Sequence, residues 1–112
     1  MYIRQYKLIC EGPENMERFR IVTTQGLSFQ QLMKKNNVNP RGFISATDDV
    51  FTNQNWEITT TWESKNHFEE SLKNPIKKWF WSRFEFEAFK HDIKLLVIDG
   101  DTGEVTEPLS VD

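Results

Sequence analysis

The side chains that could do chemistry in this 112-residue sequence are few and widely spaced. His67 and His91 are its two histidines, and histidine is the side chain best suited to proton transfer near neutral pH. His67 lies in the first turn of a predicted helix, where a capping or surface role accounts for it. His91 ends another predicted helix, where an imidazolium interacts favourably with the helix dipole. Neither histidine lies in a catalytic motif, and the sequence has no nucleophile elbow.

Carboxylates cluster at two points, Asp48-Asp49 and Asp99-Gly100-Asp101. Neither cluster has the length or spacing of a calcium loop, and Asp-Gly is first of all a turn signal. The sequence also contains no phosphate-binding loop and no dinucleotide fingerprint. We therefore predict no metal and no bound cofactor.

Aromatic side chains are the unusual feature of the composition, because nine Phe, four Trp and two Tyr make up 13% of the residues. Six of them lie in one predicted helix and cover more than one of its faces: Trp79, Phe80, Trp81, Phe84, Phe86 and Phe89. A helix that is apolar on several sides is normally buried on several sides. The set is compatible with a flat apolar cavity and equally with an ordinary helix packed between the sheet and a second surface.

The charge pattern argues against nucleic-acid binding, which usually requires a basic excess or a basic face. The formal net charge is −3. The densest basic cluster, Lys73, Lys77 and Lys78, directly follows Glu69 and Glu70, as is typical of a solvated helix face.

The sequence gives no sign of a membrane or a secretory route. No apolar run reaches the length of a membrane span, and Met1 to Cys10 lacks the features of a signal peptide. Cys10 is the only cysteine, so no intrachain disulfide can form. We predict a cytoplasmic protein without a membrane partner.

The first half of the chain contains one ambiguous segment. Met1 to Cys10 is typical of a strand, and Leu27 to Asn37 is typical of a helix with Ser28 as its N-cap. Between them, Met16 to Thr24 has a β-branched run that favours a strand and a spacing of apolar residues that permits a helix. The region is therefore either one broken helix or a strand followed by a short helix.

The second half is more clearly patterned. Apolar alternation predicts two strands joined by a polar hairpin, and spacings of three and four then predict a helix that Pro75 divides in two. A last strand ends at an Asp-Gly turn. The predicted elements are Phe43–Phe51, Trp56–Trp62, Lys65–Lys73, Ile76–Lys90 and Ile93–Asp99.

Two stretches, PRGFIS from Pro40 and EITTTWESKNHFEESLKNP from Glu57, resemble the antibiotic-biosynthesis-monooxygenase-like family. The resemblance implies an α+β fold, a ferredoxin-like βαββαβ unit with an antiparallel sheet, two of which face each other in a dimeric α+β barrel. We assign residues 1–103 to this domain and residues 104–112, which carry little apolar content, to a C-terminal tail. A homodimer is therefore the expected partner state, with the second sheet covering the face that the helices leave open.

The resemblance constrains activity less than fold, and it leaves open whether the protein is an enzyme. Haem-degrading members carry Trp and a haem-binding His where this chain has Ser71 and Trp81, so haem degradation is disfavoured. Quinone-forming members oxidise phenolic polyaromatics without a cofactor, which makes an apolar or aromatic small molecule the expected ligand. The alternative is a non-catalytic binding or interaction protein on the same scaffold. The candidate pocket-lining residues are Trp62, Phe80, Trp81, Phe84 and His91.

Overall fold

The computed structural model describes the backbone of residues 1–10, 15–35 and 41–106, and the side chains of the same residues apart from 15 and 76–80. Within these ranges no helix is long and apolar enough to cross a membrane. The elements in chain order are β1 (Tyr2–Ile9), α1 (Asn15–Thr24), α2 (Phe29–Lys35), β2 (Phe43–Phe51), β3 (Asn55–Trp62), α3 (Lys65–Ser71), α4 (Pro75–Lys90), β4 (Lys94–Asp99) and β5 (Val105–Thr106).

The sheet is antiparallel throughout, with the strand order β2-β3-β1-β4-β5. Its first four strands and the helices between them form the predicted βαββαβ unit, and the α+β ferredoxin-like fold class is confirmed. The fifth strand was not predicted, because the segment from Glu104 carries little apolar content. Val105 pairs with Ile98 and Thr106 with Val97. The rest of the predicted tail, 107–112, lies outside the described residues.

The turn before β5 is built on Asp99, whose carboxylate accepts hydrogen bonds from the backbone N–H groups of Asp101 (2.8 Å) and Thr102 (3.2 Å). Gly100 makes the turn possible. Its N–H donates to the carbonyl oxygen of Ile3 at 2.8 Å, and a Cβ at this position would lie 2.3 Å from the same oxygen. The predicted Asp-Gly turn is confirmed, and it joins the end of β4 to β1.

The ambiguous segment of the first half is a helix, α1, so the alternative of an extra strand is wrong. Threonine hydroxyls at its β-branched end bond back into the helix, since Thr23 Oγ1 donates to the Phe19 carbonyl (2.7 Å) and Thr24 Oγ1 to the Arg20 carbonyl (2.6 Å). The helix ends where Gln25 and Gly26 take positive φ angles of 56° and 82°.

Residues that commonly begin helices lie at the starts of α2, α3 and α4. Ser28 and Gln31 bond each other's backbone N–H groups at the start of α2, which is a capping box. Ser64 caps α3 by accepting from the His67 N–H at 3.2 Å. Pro75 is the first residue of α4, where its missing N–H costs no helical bond.

Side chains between the sheet and the helices form two aromatic clusters. The main core is organised around five large rings: Phe19, Phe29, Trp56, Trp81 and Phe84. The minor core contains Tyr2, Trp62 and Phe68. Trp56 and Trp62, which alternation places on one face of β3, are both fully buried within one chain. They are therefore core residues.

The opposite face of the sheet is not covered by any helix in the described part of the chain. Strand pairing places Lys94 opposite Ile9, Lys7 opposite Leu96 and Gln5 opposite Ile98, so polar side chains share this face. Alternation along β1, β4 and β5 also places aliphatic side chains there, of which Ile98 and Val105 pair directly. These residues, which we call the open face, are Ile3, Ile9, Leu96, Ile98 and Val105. Ile3 is 41% exposed and Val105 is 55% exposed.

Gly42, directly before β2, allows a direct test of the packing between the start of β2 and helix α3. It has a φ of 85°, and a Cβ there would lie 2.3–2.5 Å from the His67 side chain. We expect Gly42→Ala to lower the free energy of unfolding by more than the roughly 1–2 kcal/mol that a left-handed backbone alone costs.

Gly103→Ala is the matched control, because Gly103 has a φ of 72° and open space around the missing Cβ. Denaturant unfolding of both variants measures the difference. Equal losses would contradict the close approach of His67 to Gly42.

Candidate functional site

Three polar side chains lie on the helix-covered side of the central strand β1. Tyr2, Arg4 and Tyr6 share this side because alternate residues of a strand point the same way. Arg4 Nε donates to the Tyr6 hydroxyl at 3.0 Å, and Arg4 Nη1 donates to the Tyr2 hydroxyl at 3.4 Å. Both tyrosines are buried, and Arg4 is half-buried.

The polar chain continues from Tyr2 to the surface. The Tyr2 hydroxyl donates to Asp99 Oδ2 at 3.1 Å, and Lys65 Nζ lies 2.9 Å from the same oxygen. The Lys65 hydrogen bond, aided by the backbone N–H groups of the turn, lowers the pKa of Asp99 to about 2. We call these five residues, Tyr2, Arg4, Tyr6, Lys65 and Asp99, the Arg4 cluster.

Aromatic rings surround the guanidinium of Arg4. Its central carbon lies 4.3 Å from the centroid of the Phe68 ring and 5.6 Å from that of Tyr6. Tyr6 in turn stacks on Trp81, with centroids 5.1 Å apart and planes 14° from parallel. Arg4 therefore lies where the minor core meets the main core, and cation–π attraction favours its position.

Glu85 of α4 adds a carboxyl group to this environment. Burial raises the pKa of Glu85 to about 7, although the positive charge of Arg4 opposes the rise. Burial also raises the pKa of Tyr6, and the negative charge of Glu85 adds to that effect. A carboxyl with a pKa near neutrality can both accept and donate a proton at physiological pH.

The structure distributes the five predicted pocket residues over the two cores. Trp62 is in the minor core, 5.2 Å from the Phe68 ring and 5.3 Å from the Phe43 ring, and its indole N–H donates to Thr60. Trp81 and Phe84 are in the main core, where both contact Phe29.

The other two predicted residues are His91, at the end of α4, and Phe80. His91 lies 5.8 Å from the Phe19 ring, and its Nδ1 is 2.8 Å from the Glu87 carbonyl, at the end of α4 as predicted. Phe80 has a side chain outside the described residues. Trp81 contacts the Arg4 cluster through Tyr6, and Trp62 packs on Phe68, the ring that flanks Arg4. The pocket-lining role of all five residues stays a prediction.

Residues of the Arg4 cluster were not predicted as site residues. The alternation of Tyr2, Arg4 and Tyr6 along a predicted strand was the available signal, since it places an arginine among residues that face the core. Lys65 and Asp99 gave no such signal, because only the strand pairing brings the end of β4 next to the start of β1.

The positions that matter for haem degradation are occupied by packing groups. Ser71 is buried, and its hydroxyl donates to the Phe68 carbonyl at 2.5 Å. Trp81 lies flat against Tyr6. His67 contacts the Ser64 hydroxyl at 2.6 Å and the Glu63 carboxylate at 3.6 Å, so its ring belongs to the start of α3.

Solved structures with a similar fold include an antibiotic-biosynthesis-monooxygenase candidate from Deinococcus radiodurans. It is 14% identical with a TM-score of 0.59, over 98% of this chain and 100% of that one. A dimeric ferredoxin-like protein from an uncultured marine organism is 11% identical with a TM-score of 0.56, over 99% and 91% of the two chains.

SnoaB, a cofactor-independent oxygenase from Streptomyces nogalater, also matches, with 13% identity and a TM-score of 0.48 over 74% of this chain and 78% of that one. No family model and no curated protein matches the sequence. Identities this low show a shared fold alone. The predicted resemblance to the monooxygenase-like scaffold is confirmed at that level.

The raised pKa of Glu85 predicts a pH-dependent stability. The protonated form contributes stability that is complete below the ordinary value of 4.5 and is lost as the pH rises through about 7. We expect Glu85→Gln to raise the melting temperature at pH 8, by about 4 °C or less because solvent screens a half-buried group.

At pH 5 the same variant should melt close to the parent protein, since Glu85 is then protonated in the folded state. Thermal unfolding followed by circular dichroism at the two pH values checks this. Glu87→Gln, on the same helix, is the control substitution. A Glu85 effect independent of pH would contradict the assignment.

Proposed function

We propose that this protein is a homodimer that binds an aromatic or apolar small molecule between its sheet and helix α4 and oxygenates it without a cofactor. The observation that carries the proposal is the Arg4 guanidinium, bonded to the hydroxyls of Tyr2 and Tyr6 and flanked by the Phe68 ring. Small-molecule sites typically combine aromatic walls with a few fixed polar groups. Placing the Arg4 cation in a half-buried position costs desolvation free energy, and packing alone gives no reason for that position.

The proposed chemistry begins with loss of a proton from the substrate, which leaves an electron-rich anion that molecular oxygen can oxidise. Glu85 is the proposed proton acceptor, because its pKa of about 7 makes it a stronger base than an ordinary glutamate. The pocket-lining residues in this proposal are Trp62, Phe80, Trp81, Phe84 and His91. Trp81 stacks on Tyr6 of the Arg4 cluster, and Trp62 packs on Phe68, which flanks Arg4.

A second copy of the chain is the proposed cover for the open face. Its exposed aliphatic residues lose contact with water if two sheets pack face to face. The similar ferredoxin-like protein from a marine organism is itself dimeric. A reducing cytoplasm is the proposed location, since Cys10 is buried and is the single cysteine of the sequence, so no intrachain disulfide can form.

A non-catalytic binding protein on the same scaffold is the second candidate. The packing of the predicted pocket favours it, because Trp62 has no exposed surface and Trp81 is only 7% exposed. His67 and His91 also favour it, because both rings contact groups at helix ends, the Ser64 hydroxyl and the Glu87 carbonyl.

Light scattering tests the dimer. At micromolar concentration the protein should have twice its chain mass of 13.3 kDa. Ile3→Glu on the open face should shift it to monomer, because a buried unpaired carboxylate opposes association. Ile21→Glu is the control, since Ile21 is 56% exposed on α1. A monomeric parent protein would refute the dimer.

Oxygen uptake with anthrone, a flat tricyclic probe, tests the reaction. The ring methylene of anthrone loses two hydrogens and gains one oxygen atom of O₂, and the other oxygen atom leaves as water, so no reductant is needed. We expect protein-dependent oxygen uptake and a drop of at least about a hundredfold in Glu85→Gln.

Fluorescence of the buried tryptophans measures anthrone binding in parallel, with Glu87→Gln as the control variant. Binding without oxygen uptake would favour the non-catalytic candidate. Absence of binding would contradict both candidates as far as aromatic ligands are concerned.

A further inference from the structure

We propose that Ser64, His67 and Glu63 form a second reactive site, in which Ser64 is a nucleophile that accepts acyl groups from activated esters. The three residues lie within a short segment that ends β3 and begins α3, and none of them belongs to the Arg4 cluster. The site is therefore independent of the function proposed above. Nucleophilic serine chemistry requires a hydroxyl, a base in contact with it and a group that orients the base and stabilises its charge.

The His67 ring is placed to take the proton of the Ser64 hydroxyl. Its Nδ1 lies 2.6 Å from Ser64 Oγ, and its Nε2 lies 3.6 Å from Glu63 Oε2. The carboxylate favours the tautomer with the proton on Nε2, which leaves the Nδ1 lone pair to accept the hydroxyl proton. As that proton moves, the negative charge of Glu63 stabilises the imidazolium that forms.

Helix capping alone does not account for this position of the ring. α2 begins with the same kind of cap, in which Ser28 Oγ accepts from the Gln31 N–H at 3.2 Å. The corresponding bond from the His67 N–H to Ser64 Oγ also measures 3.2 Å. In α2 the Gln31 side chain completes the capping box by accepting from the Ser28 N–H, whereas the His67 side chain contacts the serine hydroxyl itself. Of the two capping serines, Ser64 therefore has a base beside its oxygen.

Packing fixes the ring and leaves the site open to solvent. The His67 side chain lies so close to Gly42 that a Cβ there would come within 2.5 Å of three of its carbon atoms. The Glu63 N–H donates to the Gly42 carbonyl at 2.7 Å, which joins the end of β3 to the turn before β2. Ser64 is half-buried, and the side chains of His67 and Glu63 are 31% and 63% exposed. An acyl donor can therefore approach from solvent.

The proposed reaction has two steps. Ser64 Oγ attacks the carbonyl carbon of the ester while its proton passes to His67 Nδ1, and the bond from that carbon to the leaving oxygen breaks. His67 then gives the proton to the leaving group or to water, and an acyl ester remains on Ser64. Water, activated by His67, hydrolyses this ester and releases the carboxylic acid. Esters with a good leaving group are the expected donors, because their bond breaks without help from a second acid.

Acetylation by p-nitrophenyl acetate tests the proposal, because its leaving group is coloured and stable as an anion. We expect a burst of about one p-nitrophenolate per chain, followed by slower turnover. Peptide mass spectrometry during the burst should locate the acetyl group on Ser64. Ser28 is the internal control, since it has the same cap with Gln31 in place of a base. Its acetylation should be about a hundredfold slower.

Three kinds of variant separate the roles in this site. Ser64→Asn keeps a favourable N-cap and removes the nucleophile, so it should fold and lose the burst. His67→Gln reproduces the cap of α2 and should slow acetylation of Ser64 about a hundredfold. Glu63 acts through His67 and is a positioning residue. Glu63→Gln should slow acetylation about fivefold, because an exposed charge contributes little, and Glu63→Asp should recover part of the loss.

Three results would overturn the proposal, and circular dichroism confirms that each protein compared is folded. Equal acetylation of Ser64 and Ser28 would show that His67 does not activate the hydroxyl. Hydrolysis that persists in Ser64→Asn would assign the reaction to the His67 imidazole, without an acyl-serine. Absence of protein-dependent p-nitrophenolate release from the parent protein would refute the site and leave the proposed oxygenation untouched.

Discussion

The position of β1 in the middle of the sheet is the constraint on which the rest of the structure depends. β1 pairs with β3 on one side and β4 on the other, so its register fixes which residues of three strands face the helices. That register brings Arg4 opposite Asp99 and Tyr6 opposite Val97. A shift by one residue would turn Tyr2, Arg4 and Tyr6 towards the open face and destroy both cores.

The same strand separates two functions of the molecule. Its even-numbered side chains face the helices, and they bring the Arg4 cation and the hydroxyls of Tyr2 and Tyr6 into an otherwise apolar layer. Its odd-numbered side chains, among them Ile3 and Ile9, lie on the open face. Packing between layers and the proposed association between copies therefore use alternate residues of one strand, and a substitution on one side leaves the other side chemically unchanged.

Local rules predicted the elements whose ends are set by nearby residues. Ser64 and Pro75 act within one turn of themselves, and their roles follow from the sequence. Local rules did not predict the segment from Met16 to Thr24, because its β-branched residues favour a strand. The burial of Met16 and Phe19 in the core favours the helix that the segment forms. The Arg4 cluster was beyond local rules altogether, since Tyr2 and Asp99 are brought together only by strand pairing. β5 was missed because its segment carries little apolar content, and its pairing with β4 defines it as a strand.

Gly100 carries a consequence for variation of the sequence. The carbonyl of Ile3 occupies the place where any side chain at position 100 would begin. The exclusion is steric and independent of charge or polarity, so every side chain at position 100 is equally unacceptable. Asp99, next to Gly100, accepts hydrogen bonds from the turn and from Tyr2. The steric limit at Gly100 therefore also limits how far changes of sequence can move Asp99 and the groups bonded to it.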